Sequence, residues 1–91
     1  MAPADQLEAE AGVSFEIEQN LEFWQAFGKK LRIRRLWREM TQAQLGLRLG
    51  LSEDRARKVV SRLERGGRRC DIREALALAN ALGVPLQELF P

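Results

Sequence analysis

The chain has 91 residues, 45% hydrophobic and 31% charged, which suits one small folded domain with a thin core. A single cysteine, Cys70, and the absence of histidine and tyrosine exclude an internal disulfide framework and leave few tools for catalysis or metal binding. The net charge of +2 hides a division: residues 1–22 carry six carboxylates and no base, and residues 23–91 carry all 15 basic residues against seven acidic ones.

Residues 1–20 read as an acidic leader. Residues 1–12, MAPADQLEAEAG, lack an apolar face and are expected to be a loose tail. Val13, Phe15 and Ile17 alternate with Ser14, Glu16 and Glu18, the period of a strand. One such strand cannot stand alone, so it would pair with its copy, add to a partner's sheet or stay disordered. A loose helix from Leu7 to Ile17 is the alternative.

Residues 21–91 are expected to form one all-α domain. Asn20 can cap a first helix running to about Arg38. Leu21, Trp24, Phe27, Leu31 and Arg35 share one of its faces, and Ile33, Leu36, Trp37 and Met40 form a second apolar stripe. Thr41 with Gln44 forms a reciprocal capping box for a second helix, Leu45 and Leu49 face inward, and Gly50 ends it. Leu51 plugs the turn into the core, and Ser52, followed by Glu53 and Asp54, opens a third helix.

That third helix has the sharpest pattern. Ala56, Val59, Val60 and Leu63 form a stripe about 100° wide, and Arg57, Lys58, Ser61, Arg62 and Arg65 lie opposite. A helix that is oily on one side and Arg-rich on the other can lie in a DNA major groove and offer bidentate donors to base edges. The order of residues 41–66, TQAQLGLRLGLSEDRARKVVSRLERG, is that of a helix-turn-helix unit. Gly66-Gly67-Arg68-Arg69 reads as a flexible basic loop suited to phosphates. Asp71 and Glu74 suggest a second capping box, for a helix to about Leu82 that buries Ile72, Leu76, Ala79 and Leu82. Gly83 ends that helix, Pro85 takes the first position of a short fifth one, and Leu86, Leu89 and Phe90 close the core or extend into a dimer contact.

The chain resembles the lambda-repressor and Cro-like helix-turn-helix regulators, the XRE family. The matching residues are Phe27-Gly28, Leu31 to Leu36 with Arg35, Thr41-Gln42, Leu45, Leu49-Gly50-Leu51-Ser52, Val60-Ser61-Arg62-Leu63-Glu64-Arg65-Gly66, Leu82-Gly83-Val84-Pro85 and Leu89-Phe90. The resemblance implies a compact five-helix domain whose second and third helices bind DNA. It places Arg57, Lys58, Ser61 and Arg62 nearest the bases, with Arg55 competing with Arg57 to enter the groove first. The resemblance also implies that Gln42 touches the DNA backbone; Thr41, Gln44, Arg65, Arg68 and Arg69 are the further candidates for backbone contact. Arg35 and Glu64 would form a structural ion pair.

Three departures stand out. The span from Ser52 to Glu64 is about one helical turn longer than the commonest spacing, as in a subgroup with an acidic start and an S-R-x-E-R-G end. Glu39 stands where a glycine often closes the first helix. Arg34 occupies a position that is often small and apolar.

The expected function is sequence-specific transcriptional regulation, as a repressor that binds an inverted-repeat operator as a homodimer. The expected setting is a bacterial or phage cytoplasm, at the nucleoid, without enzyme activity, cofactor or metal. No run of apolar residues approaches the roughly 20 needed to span a bilayer, and no signal-peptide pattern opens the chain. An antitoxin-type module, whose leader engages a protein partner by strand addition, is the alternative. A leader lying across the basic domain as an autoinhibitor is a third reading.

Overall fold

Four amphipathic segments are helical in the computed structural model, which describes residues 21–91. They are α1 (Leu21–Trp37), α2 (Gln42–Arg48), α3 (Glu53–Glu64) and α4 (Ile72–Leu82). The expected short fifth helix is a 3₁₀ turn, Leu86–Leu89. The acidic leader, the 13–18 alternation and the Asn20 cap lie outside the described residues.

The caps explain where the helices begin. Thr41 Oγ1 accepts the Gln44 N–H at 3.0 Å and Gln44 Oε1 accepts the Thr41 N–H at 2.8 Å, so the reciprocal box forms as expected. At α4 only half of the expected box exists. Asp71 Oδ1 accepts the Glu74 N–H at 2.9 Å, but the Glu74 carboxylate turns away to accept from Arg68. Ser52 precedes α3 with extended backbone, yet its hydroxyl makes no capping bond; the acidic Glu53 and Asp54 face the helix dipole instead. Pro85 sits one residue before the 3₁₀ turn, at its cap, and not at its first position.

All four α-helices end in the same way. An N–H one or two residues past the end reaches back three residues, and the next N–H reaches back five. The pairs are Glu39 to Leu36 with Met40 to Arg35, Gly50 to Leu47 with Leu51 to Gly46, Gly66 to Leu63 with Gly67 to Arg62, and Gly83 to Asn80 with Val84 to Ala79. This closure needs a left-handed residue. Glycine supplies it three times, and Glu39 supplies it once, at φ 55°. The Gly66-Gly67 segment is therefore the fixed end of α3, not the flexible loop the sequence suggested.

Helix α1 buries Trp24, Phe27, Leu31 and Arg35. Phe27 is fully enclosed, with Trp24 edge-on at 5.4 Å and Phe90 at 5.8 Å between ring centroids. Leu45, Val60, Leu63, Leu78, Leu82 and Leu89 complete the centre. Leu49, Leu51, Leu86 and Phe90 pack around it, half-buried. Two small residues set the helix separations. A Cβ at Gly46 would stand 2.5 Å from the backbone of Ala56, so α2 and α3 touch main chain to main chain. Gly28 does the same for α1 against the end of α3, at the Leu63 and Glu64 carbonyls.

Several expected burials differ. Leu21 is exposed at the start of α1. Of the second stripe, only Met40 is buried, because the Glu39 turn carries it inward; Ile33, Leu36 and Trp37 remain on the surface. On α4 the buried face is Ala75, Leu78, Ala79 and Leu82, with Ile72 and Leu76 exposed. The expected stripe was rotated, because 72–82 is apolar almost all round and allows two stripes at helical spacing. Arg34 leaves the core altogether and pairs with Glu88 of the 3₁₀ turn.

The left-handed Glu39 generates a test. Glu39→Gly removes the Cβ clash and is expected to raise stability by about 0.5–1 kcal/mol despite the greater freedom glycine gives the unfolded chain. The readout is a higher urea midpoint at unchanged slope. An unchanged or lower midpoint would show that this turn carries no strain.

Candidate nucleic-acid interface

The outward side of α3 is aimed by its inward side. Ala56, Val59, Val60 and Leu63 are buried, so Arg55, Arg57, Lys58, Arg62 and Arg65 are exposed and Ser61 is half-buried. None of these five cations forms an ion pair among the described residues; Arg65 only touches the Ser61 carbonyl at 3.3 Å through Nε. The arrangement is a row of free guanidinium and ammonium donors on a rigid helix, which suits an anionic partner.

The exposed cations fall into two groups. Arg57, Ser61 and Arg65 repeat every four residues and line a cleft of about 550 Å³ with Thr41, Gln42 and Ala43 of the α2 start and Arg32 and Arg35 of α1. Glu64 also lines it. Arg55, Lys58 and Arg62 are not part of that cleft. Of the two arginines that begin the exposed side of α3, Arg57 lines the cleft at the start of α2 and Arg55 does not.

Beneath the cleft lies the Arg35–Glu64 pair. Arg35 Nε donates to Glu64 Oε2 at 2.5 Å and Nη2 donates to Oε1 at 3.0 Å. The third donor, Nη1, reaches the Met40 carbonyl at 2.8 Å. Both side chains are almost fully enclosed, at 9% and 4% exposure. The hydrogen bond to Glu64 pushes the Arg35 guanidinium further above its ordinary value, against the opposing cost of burial, so the group stays charged. Gln42 Nε2 also donates to Glu64 Oε1, at 3.2 Å. Its side chain is thus held by the pair at the rim of the cleft.

The remaining sequence-selected residues are dispersed. Thr41 and Gln44 use their side chains on each other as the cap, although both are exposed. Arg68 is half-buried and donates to Glu74 at 2.8 Å, which reduces its availability to an outside anion. Arg69 is exposed without an ion pair among the described residues. Arg32 was not singled out in the sequence. Its spacing from Arg35, one turn earlier on the same helix, is the signal that could have found it.

Cys70 takes no part. It is half-buried, and burial, with Glu74 and Asp71 nearby, pushes its thiol up to about 12 against a lesser lowering by Arg68. The described residues contain no group of acids, cysteines or histidines that could hold a metal ion, and no helix long and apolar enough to cross a membrane.

Comparison with known proteins follows the same lines. The family model described as "Helix-turn-helix" matches residues 31–89. The chain is similar to the restriction-modification controller protein C.AhdI from Aeromonas hydrophila, with 34% identity and a TM-score of 0.66 over 74% of this chain and 96% of that one. It is also similar to the DNA-binding domain of BldD, with 30% identity and a TM-score of 0.63 over 77% and 96% of the two chains. No curated protein sequence matches it.

Two expectations follow from the buried groups. Arg35→Met or Glu64→Met alone strands a buried charge and is expected to cost about 3–5 kcal/mol, whereas the double replacement costs less than the sum. Additive losses in urea unfolding would mean that the two side chains do not couple. For Cys70 the folded thiol is raised, so its contribution to stability is complete below pH 9 and is lost as the pH climbs towards about 12. Cys70→Ala is expected to flatten that alkaline decline; an identical decline in the variant would assign it to other groups.

Proposed function

This chain belongs to the helix-turn-helix family of DNA-binding transcription regulators, and from that premise we propose that it is a sequence-specific repressor that binds an inverted-repeat operator as a homodimer through the major groove. The observation that carries the reading is the row of unpaired cations along α3, held outward by a buried opposite face. In this reading α3 enters the major groove. Arg57, Lys58, Ser61 and Arg62 then reach base edges, with Arg55 at the entering end, because arginine can meet guanine with two parallel hydrogen bonds. Thr41, Gln42, Gln44, Arg65, Arg68 and Arg69 would fix the domain on the flanking phosphates.

Gln42 supports this division of labour. Its tether to Glu64 limits its freedom before binding, so less entropy is lost when it meets a phosphate. The dimer follows from size. One α3 offers too few base contacts for a selective site, and two-fold pairing doubles them. The exposed Ile33, Leu36 and Trp37 of α1, and Ile72 and Leu76 of α4, supply apolar surface for such a contact.

Selection of bound sequences from random duplexes tests the whole reading. The expected product is two inverted half-sites about one helical turn apart, roughly 10 base pairs centre to centre. On that site Arg57→Ala is expected to weaken binding by about 1–3 kcal/mol and to relax one base position per half-site. Equal affinity of variant and parent removes Arg57 from the base-reading role. Half-sites without two-fold symmetry remove the dimer.

A further inference from the structure

We propose that Arg32 and Arg65 hold one phosphodiester of the duplex backbone in the cleft beside Arg57, with Arg32 supplying a phosphate contact from outside the helix-turn-helix unit. The proposal rests on the DNA-binding reading and adds a residue and a role to it. The starting point is a charge imbalance. The cleft of about 550 Å³ between the middle of α1, the start of α2 and the outer side of α3 is lined by four arginines and one carboxylate, Glu64. Both Glu64 oxygens are already engaged by Arg35, and one of them also accepts from Gln42. Glu64 therefore balances Arg35 and nothing else. Arg32, Arg57 and Arg65 face the same space with no ion pair among the described residues.

Three like charges gathered on one concave surface repel one another and focus a positive potential there. The clefts beside Trp37 hold fewer cations for their one carboxylate: Lys30 and Arg34 with Glu88 in one, Arg38 and Arg48 with Glu39 in the other. Only an outside anion can balance the Arg32 cleft. Its chemistry favours a phosphate, because arginines of α1 and α3 border the same space and each guanidinium is a planar donor fork. Ser61 and the Thr41–Gln42 stretch add neutral donors along the rim. A base edge is a poorer fit for Arg32. This residue comes from α1, which packs against α3 at Gly28 and so stands behind the surface that α3 presents outward.

The two roles separate in experiment. Binding of the parent chain, Arg32→Ala, Arg32→Lys and Arg57→Ala is measured across a salt series on the selected site and on an unrelated duplex. Arg32→Ala is expected to weaken both duplexes by the same factor, about tenfold, and to reduce the magnitude of the log-affinity against log-salt slope by about one. Arg32→Lys restores the slope, since a point charge suffices for a phosphate. Arg57→Ala lowers preference for the selected site as well. Arg32 is exposed, so its variants are expected to melt as the parent does. An unchanged slope in Arg32→Ala, or a loss confined to the selected site, overturns the assignment. Saturable binding of inorganic phosphate that depends on Arg32, with the duplex slope unmoved, gives the cleft to a free anion and also overturns it. A parent chain whose duplex binding is weak and insensitive to salt overturns the regulator reading itself, a result distinct from the others.

Discussion

The Arg35–Glu64 pair is the constraint on which the rest of this structure depends. Arg35 belongs to α1, Glu64 ends α3, and the two meet across 29 positions of sequence. The same guanidinium holds the Met40 carbonyl, which fixes the turn between α1 and α2, and the same carboxylate holds Gln42 at the start of α2. One enclosed pair thus ties together three helices and one turn. Each charge is surrounded by donors or acceptors, the condition under which a buried pair is tolerated. Because the pair sits directly under the cationic cleft, the orientation of α3 and the placement of Gln42 are set by a single interaction.

The pair also organises charge. An acidic side chain beside a surface suited to an anionic partner would oppose binding, yet Glu64 lines the cationic cleft. Its neutralisation by Arg35 makes it a structural group whose field is largely cancelled. The remaining carboxylates of α3, Glu53 and Asp54, lie in its first turn, where they complement the helix dipole. Elsewhere Glu88 and Glu74 take up Arg34 and Arg68. Among the described residues, all five cations on the exposed side of α3, and Arg32 beside them, are left without an ion pair.

Helix α3 was almost fully legible in advance, and α4 was not. The α3 segment alternates oily and charged residues so sharply that only one face can be buried. Residues 72–82 contain two overlapping apolar stripes, and a pattern with two solutions is resolved only by what packs against it. The Asp71–Glu74 box failed for a related reason. Spacing identifies residues able to form a reciprocal cap, but a competing arginine six residues before Glu74 took the carboxylate. At Thr41 no competitor is present in the described structure, and the box formed. The cleft residue Arg32 escaped notice because its significance depends on Arg57 and Arg65, 25 and more positions away.

Local physics sufficed for the helices, their glycine-terminated ends and the outward face of α3, since each depends on residues within about two turns of one another. The family resemblance, and not local physics, marked Glu39 as standing where a glycine is common. Tertiary contact decided which stripe of α4 is buried, that Met40 turns inward while Trp37 stays out, and that Arg57 and not Arg55 joins the cleft. It also decided that Glu64 faces Arg35 while Arg32 is left without a carboxylate. These choices rest on approach distances between helices, set by Gly28 and Gly46, and on which charges become neighbours once those helices are in place.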